Sequence, residues 1–277
     1  MPQQTAFIEN QIELLLNDVF EQYGYDFTGY SRASLKRRVM RLFALDKFNN
    51  FIEFRYRISR DPNYFKRFIE QLTVNVTEMF RDPEFYKTLR NAVLPQFSSA
   101  SFIRIWLAGC STGEEAYSMA ILLKEMQLLS KSLIYATDIN PSVLEKAAQA
   151  MFPLSNMKQY SENYIASGGM NDFSSYYHAS YSLAKFNEEL RSKIIFSTHN
   201  LASDHSFNEF QLILCRNVLI YFDRGLQFNV LKLFDQSLSP QGYLALGSKE
   251  TIAFSSIAHR YTRLNREKIW RKIDEHV

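Results

Sequence analysis

From residue 100 onward the chain alternates short unbroken apolar runs with amphipathic stretches of helical period, and few architectures accommodate that order. "FIRIWLAG", "SLIYATDIN", "KIIFSTHNL", "FQLILCRN" and "GYLALGS" read as strands; "GEEAYSMAILLKEMQ", "PSVLEKAAQAM", opened by Pro141, and "RGLQFNVLKLFDQSL" read as helices among them. A strand that is apolar at nearly every position is covered on both faces, the usual condition of a parallel sheet flanked by crossover helices. The pattern predicts a parallel, doubly wound α/β sheet. The last stretch, "HRYTRLNREKIWRKID", gives two strand-like runs joined at Asn265-Arg266, the pattern of a terminal hairpin.

One stretch interrupts the alternation. Residues 152–193 hold Pro153, Gly168-Gly169 and a concentration of rings: Tyr160, Tyr164, Phe173, Tyr176, Tyr177, Tyr181 and Phe186. This is too long for a connection between a helix and a strand, and it predicts an inserted subdomain. Its rings have two uses, packing on one another or facing a partner.

Up to about residue 75 everything reads as helical. "FIENQIELLLNDVFEQY" places Phe7, Ile8, Ile12, Leu15, Leu16 and Val19 at helical spacing, and Gly24 ends it. "SRASLKRRVMRLFALD" follows with Ser31 as its expected N-cap, then "NNFIEFRYRIS", then "PNYFKRFIEQLTV" opened by Pro62. The expected division is a helical domain over 1–75 and an α/β domain over 76–277, the latter containing the insert.

With 46% hydrophobic residues the chain has material for a sizeable core. A net charge of +3 is too small to imply nucleic acid without a concentrated patch. Cys110 and Cys215 each end an apolar run and are expected to be reduced and buried; neither has the spacing of a zinc site. "MPQQTAFIEN" lacks the basic and apolar regions of a signal peptide, and no apolar run approaches the ~20 residues of a membrane span. A cytoplasmic protein without metal or membrane insertion is the expectation.

The turn after the first strand, Gly109-Cys110-Ser111-Thr112-Gly113, reads G-x-S-x-G, the pattern of a hydrolase nucleophile elbow. His199 and His259 are available as bases, but an elbow normally sits in a sheet already built by earlier strands, and here this strand is the first. A dinucleotide site is a second reading. Its phosphates would dock at the start of the following helix, where unpaired N–H groups favour negative charge. That helix opens with Glu114 and Glu115, which repel a pyrophosphate and suit a cation. Asp138, at the tip of the next strand, is placed to accept hydrogen bonds from ribose hydroxyls. A nucleoside carrying a sulfonium and an amino-acid tail, S-adenosylmethionine, satisfies all three features. The competing structural uses are a capping box formed by Thr112 to Glu115 and, for Asp138, a cap on the helix after Pro141.

"NVTEMFRD", "WLAGCSTGEEAYSMA", "ATDIN" and "LILCRNVLIYFD" stand in the order seen in CheR-type chemotaxis methyltransferases, which the chain resembles over essentially its whole length. Gly109-Cys110 stands where many relatives have two small residues such as alanines. The resemblance implies an all-α N-terminal domain, a Rossmann-like S-adenosylmethionine-dependent domain and an inserted small antiparallel β-subdomain. It implies a protein-glutamate O-methyltransferase yielding S-adenosylhomocysteine. The cofactor contacts it implies are Asn75, Thr77 and Arg81 in the first motif, Gly109 and Glu115 in the glycine loop, Asp138, the pair Asn200 and Leu201, and Arg216 and Asn217. Tyr221 falls beside the transferring methyl group.

An ionised carboxylate acceptor needs no general base, so bringing the two groups into line is the main task. Arg81 and Arg216 are expected to face the cleft, one holding the cofactor carboxylate and the other the acceptor, with Tyr221 completing the catalytic set. In "SLKRRVMRL", Arg37 and Arg41 lie one turn apart with Lys36 and Arg38 beside them. The resemblance implies that this face docks the acidic methylation region of a chemoreceptor's cytoplasmic helical bundle. It also implies, for some members, capture of a receptor's C-terminal peptide by the β-subdomain. The alternative is a cofactor-binding signalling module without turnover.

Overall fold

The computed structural model describes residues 2–264 and 266–273. They form two compact units: residues up to 74 with 200–204 and 220–230, and the remainder.

The first unit holds α1 (Pro2–Tyr23), α2 (Arg32–Leu45), α3 (Phe51–Arg60) and α4 (Pro62–Leu72). Leu15, Val19, Val39, Leu42, Phe54, Ile58 and Phe68 are buried along the predicted stripes; the side chains of Phe7 and Ile8 lie outside the described residues. Asp61 ends α3 and caps α4, accepting the N–H groups of Asn63 and Tyr64 at 3.0 and 3.1 Å, while Pro62 occupies a first-turn position that needs no donor. Ser31 precedes α2 as expected, but its side chain makes no cap bond. Its N–H instead donates to the Tyr221 carbonyl at 2.8 Å. Next to it Tyr30 and Phe222 form an antiparallel bridge.

In the second unit the main sheet uses β1 (Ile103–Ala108), β2 (Ser132–Asp138), β6 (Ile194–Thr198), β7 (Phe210–Cys215), β8 (Leu238–Leu246), β9 (Tyr261–Arg263) and β10 (Ile269–Lys272). The spatial order is β6-β2-β1-β7-β8-β10-β9. From β6 to β8 neighbouring strands are parallel, and β10 and β9 add antiparallel at the end. The terminal hairpin thus extends the sheet and makes it mixed; Asn265, at its expected turn, lies outside the described residues. β8 starts four residues before the predicted run, because Leu238 already pairs with Phe210 and the ladder shifts register before resuming at Tyr243. α5 (Pro83–Thr88), α6 (Glu114–Glu125) and α7 (Pro141–Ala148) accompany these strands, and α10 (Arg224–Ser237) belongs to this unit from Leu231 onward. On β1, Ile103, Ile105 and Leu107 join the core that includes α6, while Trp106 faces Phe210 and Phe234 on the other side. Burial on both faces is why the strand reads as uniformly apolar.

The insert contains β3 (Met151–Pro153), α8 (Met157–Ala166), β4 (Tyr177–Ser180), β5 (Leu183–Phe186) and α9 (Glu188–Arg191). Its strands form a three-stranded antiparallel sheet, β3-β5-β4. The rings do not pack only on one another. Tyr164 and Phe173 meet Phe80 at 5.2 and 6.2 Å, and Phe152 and Phe186 meet Tyr117 of α6 at 5.4 and 5.6 Å. Tyr181, by contrast, is fully exposed. A polar hub completes the joint: buried Glu125 accepts from Arg90 at 2.5 Å, Tyr176 at 2.9 Å and the Met170 N–H at 3.0 Å, and from the Tyr164 hydroxyl.

Candidate active site

The sheet reverses its winding between β1 and β7, and the loops leaving their carboxyl ends meet there, the usual place for a ligand in such a fold. Gly109, at φ +81°, makes the meeting possible: a Cβ on it would lie 2.4 Å from the Val218 side chain. The turn continues through Ser111 at φ +50° to Gly113, which begins α6 at φ +95°. The capping box, the competing use of Thr112 to Glu115, is not made. Gly113 takes the N-cap position, so the Thr112 hydroxyl lies outside the helix and bonds Glu114 at 2.6 Å.

Asp138 ends β2, buried, and its two carboxylate oxygens accept the N–H groups of Ser111 at 2.9 Å and Asn140 at 3.0 Å. Burial raises its pKa against these bonds. It is not the cap of α7; Asn140 does that, accepting the Ser142 N–H at 3.0 Å. Beside it the buried Ser111 hydroxyl has no hydrogen-bond partner among the described residues. Among the described residues no base bonds this serine: the His199 ring packs on Trp106 and Phe207, and its Nε2 lies 3.2 Å from the His205 carbonyl.

The two glutamates that open α6 differ. Glu114 is buried, which raises its pKa, and it bonds Thr112 and, at 3.4 Å, Tyr160. Glu115 accepts from Arg216 at 2.9 Å. Arg216 does not face an open cleft: its side chain is 4% exposed. It also donates to Asp82 at 2.7 Å and to the Arg81 carbonyl at 3.0 Å, with Phe85 stacked 4.0 Å from its guanidinium carbon. The arginine joins the end of β7, the first turn of α6 and the end of the "NVTEMFRD" segment, where Phe80 and Asp82 both have positive φ. Asn75, Thr77 and Arg81 lie half-buried along that segment, and Arg81 Nη1 is 3.4 Å from the Val76 carbonyl.

Asn217, at φ +60°, opens the loop after β7. Its N–H donates to Glu250 at 3.1 Å, alongside those of Val218 at 2.9 Å and Gly247 at 2.6 Å. Glu250 is buried and pulls one carboxylate against this loop; burial raises its pKa in spite of the donors. Nothing in one sequence singles it out. Asp82 had a signal, as the last residue of the quoted motif.

The other expected residues belong to the first unit. Asn200 is buried, donating its N–H to Asp204 at 2.8 Å and accepting from Ala202 at 3.0 Å, while its side-chain nitrogen lacks a partner among the described residues; Leu201 is half-buried. Tyr221 is half-buried against Arg38, whose guanidinium carbon is 5.1 Å from the ring centre. On α2, Lys36 pairs with Glu9 and Arg32 with Glu13, each at 2.8 Å. Arg37 and Arg41 are exposed, and neither makes an ion pair with the described residues.

The second unit's residues fit S-adenosylmethionine. Asp138 retains acceptor capacity beyond its backbone donors, Ser111 keeps a buried hydroxyl to spare, and the α6 start carries carboxylates instead of a phosphate cradle. Among the described residues no cluster of His, Cys, Asp and Glu could hold a metal, and no helix is long and apolar enough to cross a membrane.

Residues 10–73 match the family model described as CheR methyltransferase, all-alpha domain, and residues 75–268 match CheR methyltransferase, SAM binding domain. The Cher3 protein of Pseudomonas putida is 45% identical over 265 residues, covering 95% of this chain and 96% of its own. A chemotaxis protein methyltransferase of Listeria innocua is 31% identical, covering 83% of this chain and 85% of its own. That of Salmonella typhimurium is 27% identical, with 95% and 90% covered. With both domains accounted for and the glycine loop, strand-tip aspartate and Arg216 network in place, the chain belongs to the CheR methyltransferase family and carries its S-adenosylmethionine-binding domain.

Proposed function

We propose that this chain methyl-esterifies glutamate side chains in the cytoplasmic helical region of chemoreceptors. One observation carries the choice of an acidic protein acceptor: Arg37 and Arg41 stand exposed and unpaired among the described residues, on a helix whose other cations are engaged. Relatives named as chemotaxis methyltransferases support the same choice.

S-adenosylmethionine supplies an electrophilic methyl group on a sulfonium, and the residues of this chain bind and orient. Asp138 would accept from ribose hydroxyls, and Gly109 leaves room for the nucleoside. Asn200 and Leu201 would border the adenine, and Asn75, Thr77 and Asn217 would complete the cofactor pocket. Arg216, already committed to Glu115 and Asp82, would position Glu115 instead of holding the acceptor. Arg81, with one long contact to a carbonyl among the described residues, is then the arginine for the cofactor carboxylate. Tyr221 would place the reacting groups by its hydroxyl. No proton leaves the acceptor, because a glutamate is ionised at neutral pH.

The test is incubation with methyl-labelled S-adenosylmethionine and a purified cytoplasmic chemoreceptor fragment. Base-labile label on the fragment is expected; base-stable label, or cofactor binding without transfer, overturns the proposal. Tyr221→Phe should lower kcat by ~10-fold or more while cofactor affinity holds. Charge reversal at Arg37 and Arg41 should raise KM for the fragment, most steeply at low salt, and leave S-adenosylhomocysteine affinity unchanged. Equal loss of cofactor affinity would make those arginines structural.

A second surface belongs to the same proposal. Among the described residues β4 is an exposed edge strand paired with β5 alone, which suits addition of a receptor's C-terminal peptide as a further strand. Fluorescence anisotropy with such a peptide checks it; no binding at millimolar concentration excludes tethering there.

A further inference from the structure

The cations of α2 fall into separate groups, and Arg38 belongs to neither the paired nor the exposed one. It is half-buried. Its Nη1 donates to the Leu72 carbonyl at the end of α4, and its guanidinium carbon lies 5.1 Å from the centre of the Tyr221 ring. One end of the guanidinium is thus anchored on backbone while its plane serves as a platform for the ring. The main chain around Tyr221 is held from the same side. Its carbonyl accepts the Ser31 N–H at 2.8 Å, and the Asp223 N–H donates to the Gly29 carbonyl at 2.8 Å. Tyr30 and Phe222 pair between these bonds, their rings 4.8 Å apart. The residues just before α2 fix the backbone of Tyr221, and a residue within α2 fixes its ring.

We propose that Arg38 is a positioning residue for methyl transfer, seating the Tyr221 ring on the same helix that presents Arg37 and Arg41 to the acceptor. This rests on the role proposed above for Tyr221. A guanidinium over the ring face that also hydrogen-bonds the tyrosine side chain restricts both ring and hydroxyl, and a catalytic group held out of line by as little as about an ångström loses much of its effect. Adjacent arginines then have opposite kinetic signatures. Arg37 acts on KM and is sensitive to salt. Arg38 acts on kcat and is indifferent to salt, because its partners are a carbonyl and a tyrosine side chain instead of a carboxylate.

The experiment is a double-variant cycle with Arg38→Met and Tyr221→Phe, using the chemoreceptor fragment and S-adenosylmethionine. Arg38→Met should lower kcat by ~10- to ~100-fold, with KM for the fragment and affinity for S-adenosylhomocysteine within about twofold of wild type. In the Tyr221→Phe background the same change should have no further effect on kcat. Arg38→Lys, which keeps a cation near the ring, should recover part of the rate, and it stands in for the methionine variant in the cycle if that protein fails to fold by circular dichroism. A kcat deficit that repeats in full in the Tyr221→Phe background overturns the proposal, as does a raised KM with unchanged kcat. Wild-type turnover in Tyr221→Phe alone removes the role of Tyr221 itself, a failure distinct from independence of the two residues.

Discussion

Glu250 shows how much of this site depends on a residue that no sequence motif singles out. Its carboxylate gathers the N–H groups of Gly247, Asn217 and Val218 and so fixes the turn that Arg216 enters. Glu250→Gln replaces one acceptor oxygen with a donor facing donors. It should cost about 1–3 kcal/mol in urea unfolding and weaken S-adenosylhomocysteine binding by calorimetry. An unchanged affinity would show that the turn holds its shape without the carboxylate. Gly109 makes a sharper case. Gly109→Ala combines a left-handed backbone, at about 1–3 kcal/mol, with a Cβ 2.4 Å from Val218. Adding Val218→Ala should relieve the clash and leave the backbone part, so the double variant is expected to be more stable than Gly109→Ala alone.

Among the elements, the insert departs furthest from its reading in sequence. Its presence as an insert and its ring-rich composition were legible and the resemblance implied its small antiparallel sheet, but α8 was not read, and the rings join the main core instead of forming their own. Glu125 is the reason the two are one body energetically. Burial opposes its ionisation, yet the bonds from Tyr164, Arg90 and the Met170 N–H prevail and hold its pKa below the ordinary 4.5. A carboxyl with a depressed folded-state pKa stabilises fully above its unfolded value and loses that contribution as pH falls through the folded one. Glu125→Gln should therefore be destabilised at pH 7, on the order of 3 kcal/mol because Arg90 is left without a counter-charge. The gap to wild type should narrow as the pH is lowered through and below 4.5; urea unfolding at pH 7 and at acid pH measures it. A gap independent of pH would assign the cost to shape alone.

For the whole molecule, family membership and the carboxylate-lined glycine loop lead to the same ligand. S-adenosylhomocysteine at a hundredfold excess over its Kd should stabilise the native protein by about 2.7 kcal/mol, visible as a rise in Tm. NAD at the same concentration should produce none, because Glu114 and Glu115 occupy the place where a pyrophosphate would dock. What the chain determined locally was readable from its residues: unbroken apolar strands, helix openings at Pro62 and Pro141, a small-residue turn with acids at successive strand tips. Those signals depend on near neighbours along the chain and on burial of whole faces, which leave a period in the sequence. Which groups would be spent on one another was settled only in three dimensions. Arg216 closes on Glu115 and Asp82 from 101 and 134 residues away, Glu250 reaches back to Asn217, and Arg38 goes to Tyr221 while Arg37 beside it stays in solvent. A long-range hydrogen bond carries no periodicity, because its geometry exists only after the strands have found their order.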